Sequence, residues 1–435
     1  MLERLFTKNG ALIFLIFLMA ISLRITGPYF QVTHFFHRQF FISGSELYGY
    51  YKSDELIYNF TAKSILEGRG FSLNVPEILD EQKTSYDDDM IDFFRDVYCS
   101  RGVQNINDQK YWHHNLIPPL YPSFLAFFYF VFGVGTLSYF IPQLILGALT
   151  CLLVYFLAKE MFDEKIAILA AFATSVYPEL VFWTYSIRPE ILYIFLLIVG
   201  FLLIIKGNKY NNIYLIFGGG VILGLACLTR VTLLMFFPFL IVWQFWIAKG
   251  KMRFKFSAIL LISILLVLLP WAVRNYIVFN EFTFFTSEVS VILVDHMSLT
   301  EIKNSRSPYA FLSQFYNYFV NDAGGYFSHS IKRLITYLSP YTSGMDKFAK
   351  IYKFISWLII FPAGFIGIVL SIFNSWRKYS LLILFIFYYI VIHAATCVDI
   401  GLVYRYPLIP FMAIFAFYAY QQLFLLYVNR NKGTV

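Results

Sequence analysis

Two adjacent carboxylates, Asp54 and Glu55, open the segment SDELIYNFTAKSILEGRGFSLN that runs from Ser53 to Asn74. Just beyond the first long apolar stretch, such a pair could take a proton from an attacking hydroxyl or amine at a membrane surface. The segment predicts a short helix. Ser53 is an N-cap type, the carboxylates fall in the first turn where the helix dipole favours them, and Gly68-Arg69-Gly70 stops the run. Ile57, Phe60, Ile65 and Leu66 supply its apolar positions. An acidic first turn is also an ordinary capping device, so the pair needs support from the rest of the chain.

Hydrophobic residues make up 59% of the 435 positions and charged residues 14%, and the mean hydropathy is +0.64. That composition excludes an ordinary soluble domain and predicts an all-α polytopic membrane protein. Apolar runs lie at 11–26, 138–158, 166–183, 190–205, 212–229, 231–248, 256–273, 351–372, 379–397 and 405–427. They give about ten transmembrane helices. The run Pro118–Phe132, PPLYPSFLAFFYFVF, has ~15 residues and at ~1.5 Å each falls short of the ~30 Å bilayer core. If it lies flat on the outer face, the basic loops 159–165, 206–209, 249–255, 376–378 and 429–432 all join Arg4 and Lys8 on one side. If it crosses, they scatter.

The flat placement is therefore expected, with both termini cytoplasmic and a single domain over 1–435 in the cell's inner or plasma membrane. Two large loops, 27–136 and 275–350, then share the extracytoplasmic face and carry the polar chemistry, the first with membrane-parallel helices. The first span is short and holds Arg24; a cleaved signal peptide is the alternative there, although no small-x-small site follows. The net charge of +8 sits largely in the cytoplasmic loops and reads as an orientation signal, so no nucleic-acid partner is expected. Of the cysteines, Cys151 and Cys227 fall in spans, Cys397 near an outer end and Cys99 in the first loop, which makes neither a disulfide framework nor a CxxC metal site. The stretch Asp80–Asp108 reads as a polar surface insertion whose Asp87-Asp88-Asp89, Asp92 and Asp96 form a solvated acidic face, with a divalent cation as the alternative.

Ionisable groups are costly at membrane depth, so their placement points to function. In the topology above, Arg24, Glu179, Arg188, Glu190, Arg230, Arg274, Asp399 and Arg405 all lie at the outer ends of spans, level with Asp54 and Glu55. Only His393 is a titratable group well inside a span, which argues against an ion-coupled transporter. A single outer arginine is usually an interfacial anchor. Clustered arginines facing an acid pair suit a reaction in which a lipid-linked phosphate leaves, stabilised by cations while a carboxylate takes the proton of the nucleophile. No Walker A or GxGxxG element is present, and Gly218-Gly219-Gly220 lies within a span, where close helix packing explains it.

Several motifs in order resemble the GT-C class of membrane glycosyltransferases, in the branch of protein O-mannosyltransferases and lipid A aminoarabinose transferases (glycosyltransferase family 39-like). SDELIYNFTAKSILEGRGFS resembles the family's first-loop acidic helix, IPPLYPSFLAFFYFVFG its membrane-parallel helix and LILGALTCLLVYFLAKEMF the following span. YPELVFWTYSIRPEILYIFLL, CLTRVTLLMFFPFL, LPWAVRNYIVFNEF and YRYPLIPFMAIFAF resemble later signatures in the same order. The resemblance implies a polyprenyl-phosphate-linked sugar donor, an extracytoplasmic acceptor and inversion at the anomeric carbon. It implies Asp54 as catalytic carboxylate with Glu55 beside it, and Arg274, Arg405 and, more weakly, Arg230 as donor phosphate-binding residues. Glu190 would line the sugar or metal region, and Tyr58, His113 and His114 join it as sugar- or acceptor-binding candidates.

The aminoarabinose transferases place a lysine before the proline pair, whereas Ile117 stands there in this chain, which argues against that sugar. His113-His114 could replace the lysine near a phosphate or bind a metal, the ordinary alternative being an interfacial loop. Metal dependence varies across the class, so no cofactor is assumed and a divalent cation is kept as the alternative. The expected function is transfer of a sugar from a polyprenyl phosphate to a lipid, glycan or protein acceptor. The rivals are a glycan polymerase using lipid-diphosphate substrates, which should not need the first-loop acidic helix, and a lipid-linked-sugar flippase, which would need a polar path to the cytoplasmic face.

Overall fold

The structure is a computed structural model, and it describes residues 8–32, 53–74, 104–105, 111–284, 316, 319–340, 347–396 and 402–432. The aspartates of the 80–108 insertion, Asp399, Cys99 and Cys397 lie outside the described residues. Helix α1 spans Lys8–Val32 and α2 Ser53–Leu66. The strands β1 (Ser72–Asn74), β2 (Gln104–Asn105) and β3 (Tyr111–His113) follow, and then α3 (Leu120–Phe132), α4 (Thr136–Met161), α5 (Glu164–Val176) and α6 (Pro178–Phe182). A 3-10 turn at Trp183–Tyr185 leads to α7 (Glu190–Lys209) and α8 (Ile213–Cys227); a second at Val231–Phe236 leads to α9 (Phe237–Ile247) and α10 (Met252–Phe279). Helices α11 (Ala323–Leu338), α12 (Lys347–Thr396) and α13 (Ile409–Lys432) complete the chain, with a 3-10 segment at Leu402–Leu408 before the last.

Helix α2 ends as its sequence predicts: Gly68 and Gly70 take left-handed φ values of 77° and 66°, and the Arg69 amide returns to the Ser64 carbonyl at 2.8 Å. Phe201, Phe236, Phe385 and Phe411, all buried, interlock between α7, the second 3-10 turn, α12 and α13 at centroid distances of 5.1–6.2 Å. The Gly218-Gly219-Gly220 run does pack helices. A Cβ on Gly219 would meet Ile204 of α7 at 2.6 Å, and one on Gly220 would overlap Ser263 of α10. Helix α8 is thus clasped between two neighbours by backbone approach.

Polar contacts gather the basic helix ends at one end of the bundle. Glu160 of α4 accepts from Lys209 at 2.7 Å and pairs with Lys206 at 3.5 Å, both on α7, and the Gln244 and Asn208 amides exchange bonds of 2.8 and 3.0 Å. Trp243 donates to Ser380, the Trp246 and Trp376 rings lie 4.5 Å apart, and Gln421 of α13 donates to Asp163. Asn9 of α1 bonds Glu164 at the same end. Such surface pairs add little stability, but they fix which ends coincide. Since α4 finishes here, it starts at the opposite end, and the Leu120 amide at the head of α3 donates to Leu228, just past the far end of α8, at 2.9 Å. Helix α3 therefore begins and ends at one end of the bundle.

Among the described residues six helices are long and apolar enough to cross a membrane, or seven if α5 and α6, bent by 56°, form one span. This is fewer than ten for physical reasons. Helix α8 and the 231–247 stretch are short, and α12 counts once although it breaks at Ser375 (φ −164°, ψ 56°), between the two runs read from the sequence. The all-α expectation also needs correcting to a mostly helical chain. Strand β3 pairs antiparallel with β1 (Leu73 opposite Trp112) and with β2 (Asn105 opposite Trp112). Strands of two or three residues are too short to leave an alternating pattern in the sequence.

An impermeant thiol reagent should modify cysteines introduced at Asn105 and Ser305 in intact cells and one at Lys251 only after permeabilisation. Labelling of the first two on opposite faces would defeat the flat placement of α3.

Candidate active site

The tripeptide Arg188-Pro189-Glu190 ties two parts of the structure together. Pro189 immediately precedes α7 at φ −74°, a value its ring presets, and Glu190 takes the first turn, where the dipole favours an acid. The approach to it is held by Gln143 of α4, fully buried, whose amide donates to the Ser186 carbonyl at 2.9 Å. From this fixed turn Arg188 donates through Nε to Glu55 of α2 at 3.0 Å, with its guanidinium 5.0 Å over the Trp183 ring. On the other side Glu190 accepts from Arg230, whose guanidinium lies 5.1 Å over the Tyr404 ring. Acid and base thus alternate from Glu55 through Arg188 and Glu190 to Arg230. Glu190 is 1% exposed and Arg230 13%, so removing either partner would strand a nearly buried charge.

A second cluster forms around the Phe71 carbonyl at the α2–β1 corner. It accepts from Arg274 Nη2 at 3.2 Å, from the His114 amide at 3.2 Å and faces His113 Nδ1 at 3.4 Å. Arg274 is half-buried among the rings of Phe71, Trp271 and Phe279, at 5.0–5.8 Å. His114 is fully buried; its Nδ1 accepts from the Leu116 amide at 3.3 Å, which leaves Nε2–H to face Thr61 Oγ1 at 3.0 Å. Thr61 in turn donates to Ile57 at 2.6 Å. With both ring nitrogens engaged, His114 locks α2 to the approach of α3, and as placed it offers no ligand atom to a phosphate or a metal. Among the described residues no three His, Cys, Asp or Glu side chains converge to hold a metal ion.

Asp54 falls on α2 beside Glu55, and its side chain lies outside the described residues. Tyr58, one turn on, is buried edge-to-face against Tyr121 at 5.1 Å, and Tyr129 of α3 donates to Asn59 at 2.7 Å. These contacts seat α3 on the acidic helix. Two other outer charges, Arg24 and Glu179, do not join the site. Arg24 is buried against Gly147 of α4 and donates to Ala20 at 3.0 Å, and Glu179 is enclosed on α6.

Arg405 departs from expectation. It is 1% exposed, donates from Nη1 to the carbonyls of Tyr337 (3.2 Å) and Ser339, and faces the Phe361 ring at 4.9 Å. These carbonyls close α11, where a helix leaves acceptors unsatisfied and its dipole is negative. In this arrangement Arg405 serves as a C-terminal cap, and the cation that meets the acidic helix is Arg188. Sequence reasoning had Arg188 only as one outer charge among eight. Its place between two acid-bearing elements could be seen only once α2 folded onto it. Gln143 and Thr61 carried no signal.

With this geometry in place, comparison with known proteins is informative. Residues 117–274 match the family model for dolichyl-phosphate-mannose-protein mannosyltransferase, a stretch that includes Arg188, Glu190, Arg230 and Arg274. The apo oligosaccharyltransferase of Archaeoglobus fulgidus superposes over 98% of this chain and 52% of its own, with TM-score 0.57 and 13% identity. The fold is that of the GT-C glycosyltransferases. The archaeal oligosaccharyltransferase AglB in complex with an inhibitory peptide and a dolichol-phosphate gives TM-score 0.56 over 98% of this chain and 52% of its own, at 12% identity. ArnT from Cupriavidus metallidurans, bound to undecaprenyl phosphate, gives 0.53 over 85% of this chain and 55% of its own, at 14% identity. The chain spans about half the length of these GT-C structures. No curated protein matches it in sequence.

Burial first, and then the charges of Arg274 and His113, push the His114 imidazole down from 6.5 to about 3. Below pH ~6.5 the unfolded chain therefore binds a proton that the folded chain refuses, and stability falls by about 1.4 kcal/mol per pH unit until pH ~3. The thermal midpoint in detergent should drop from pH 7 to pH 5, with a clearly smaller drop in His114→Asn; identical profiles would remove His114 as the cause. Arg405→Lys, which cannot bridge the α11 carbonyls, should cost about 1–3 kcal/mol of stability. The thermal midpoint in detergent checks this, and an unchanged midpoint would remove Arg405 as the cap.

Proposed function

We propose that this chain is an integral-membrane glycosyltransferase that moves a sugar from a polyprenyl phosphate to an acceptor on the extracytoplasmic side. The observation that carries the reading is the linkage of acidic helix α2, through Glu55 and Arg188, to the Glu190–Arg230 pair. This linkage holds carboxylates and guanidinium groups within one end of the bundle. The GT-C fold and the lipid phosphates bound by its structural relatives support it.

In this reading the ten apolar stretches are ten passes, α12 contributing one on each side of Ser375. The basic helix ends face the cytoplasm, and α2, the sheet and α3 lie on the opposite surface. Helix α3 suits an interfacial position, since Tyr121, Leu125 and Tyr129 are buried while Phe127, Phe130 and Phe132 are exposed toward lipid. Asp54 is the base. It takes the proton from the acceptor nucleophile, whose lone pair forms the new bond to the anomeric carbon as the bond from that carbon to the phosphate oxygen breaks. The electron pair leaves with the polyprenyl phosphate, and attack opposite the leaving group inverts the centre. Arg230 and Arg274 stabilise the departing phosphate, and Glu55, held by Arg188, fixes the acidic helix in register with it.

Incubation of purified protein with a panel of polyprenyl-phosphate sugars and envelope extracts, read by mass spectrometry, should yield a sugar-bearing product together with the free carrier phosphate. Asp54→Asn should lower the transfer rate by about two to four orders of magnitude with near-normal folding, since asparagine also suits a helix start. Glu55→Gln should cost less. Full activity in a folded Asp54→Asn protein would rule out the base assignment.

A further inference from the structure

The polar atoms left over around Arg230 form a second part of the site. His393, on the second half of α12, is fully buried, and its Nδ1 faces the Tyr389 carbonyl one turn back at 2.7 Å. That nitrogen carries the proton, so in the neutral ring Nε2 is a bare acceptor, and among the described residues it has no hydrogen-bond partner. The ring lies 5.3 Å from the Tyr404 ring, over which Arg230 sits at 5.1 Å. Tyr193, one turn along α7 from Glu190 and within the field of Arg230, brings a fully buried hydroxyl that is likewise unmatched. Glu190 Oε2 and Arg230 Nε are also unmatched among the described residues.

We infer that His393 and Tyr193, with Glu190, bind hydroxyl groups of the donor sugar, an assignment that rests on the glycosyltransferase reading and extends it. The set mixes donors (Tyr193 O–H, Arg230 Nε–H) with acceptors (His393 Nε2, Glu190 Oε2), and its one ion pair cancels in charge. A phosphate calls for cations and a protonated amine for carboxylates; uncharged hydroxyls, each able to donate and accept, match a balanced set. Unmatched buried polar atoms are costly, and a hydroxyl-rich ring recovers that cost. Arg230 is the member of the set that reaches the surface, 13% exposed against 1% for Glu190. A carrier phosphate that draws its guanidinium outward uncovers Glu190 Oε2 and the atoms behind it, so phosphate and sugar engage together.

The test uses the full-length purified chain with His393→Phe, which keeps a ring among Tyr337, Tyr389 and Tyr404 but deletes the lone pair, and Tyr193→Phe, which deletes only a hydroxyl. The probes are a bare polyprenyl phosphate and polyprenyl-phosphohexoses each lacking one hydroxyl. Both variants should bind the bare carrier within about twofold of wild type and the intact phosphohexose roughly tenfold more weakly. For one deoxy donor that penalty should vanish. If both variants lose bare and sugar-loaded carrier in parallel, or match wild type on the sugar-loaded carrier, the inference is overturned while transfer by wild type stands. If His393→Phe alone loses the bare carrier, Tyr193→Phe decides by the same criteria. Failure of the wild type to bind any polyprenyl phosphate overturns the inference and the transfer reading together.

Discussion

Charges held at the end of an apolar bundle must find partners within the protein, and that requirement shapes this molecule. Glu190 sits at the head of α7 almost without solvent, a place an ionised carboxylate could not hold without a cation against it. Arg230, at the turn between α8 and the next helix, supplies that cation and brings the two helix ends into register. Two residues before Glu190 the partnership is reversed: Arg188 is the fixed cation and Glu55 of the distant acidic helix is the anion that comes to it. The Arg188-Pro189-Glu190 turn is consequently a two-way clamp. Its rigidity is secured by a proline ring on the chain and by the buried amide of Gln143 beneath it.

The acidic helix needs more than one tether, because a single ion pair near the surface fixes a point and not an orientation. The second tether is neutral. Thr61, about 9 Å along α2 from Glu55 at 1.5 Å per residue, is joined to His114, and the Phe71 carbonyl at the helix's far corner is gripped by Arg274 of α10. Between these anchors α3 lies across the helix through Tyr121 and Tyr129. The carboxylate of Glu55 is thereby held from the turn that precedes α7, and the C-terminal end of its helix from α10 and β3.

Much of this was legible in the sequence, for reasons that can be named. The helix at Ser53–Leu66 announced itself by its cap, its acids and its glycine stop, features that act within a few residues. Counting Lys and Arg in the loops groups the basic helix ends, because bundle topology constrains all of them at once, and the contacts among Glu160, Lys209, Asn208 and Gln244 bring those ends together. Partner choice was not legible. Arg405 and Arg230 both open or close helices next to aromatic residues, yet one is bound by the carbonyls of α11 and the other by Glu190. The difference is set by which element happens to end nearby, and no local pattern encodes it. The short strands escaped for a related reason: β1 pairs with β3 across some forty residues, and all three strands are joined by very few bonds.

If the chain is the glycosyltransferase proposed above, the paired state of Arg230 bears directly on its catalysis. A guanidinium stabilises a leaving phosphate best if it need not be desolvated for the purpose, and Arg230 has already given up water for Glu190 and for the Tyr404 face. Exchange of one anion for another, carboxylate for phosphate, leaves its hydrogen-bond count nearly constant. The cost of bringing the cation into the site is met on folding and not on binding. The carboxylate it releases does not stay uncompensated for long, because a sugar brings hydroxyl donors to that position. On the proposed reading, a lipid phosphate without its sugar would leave Glu190 with fewer donors than a loaded carrier supplies, and would be held less well. On that reading, the same pair would favour sugar-loaded over spent carrier, which is the sense a transferase requires.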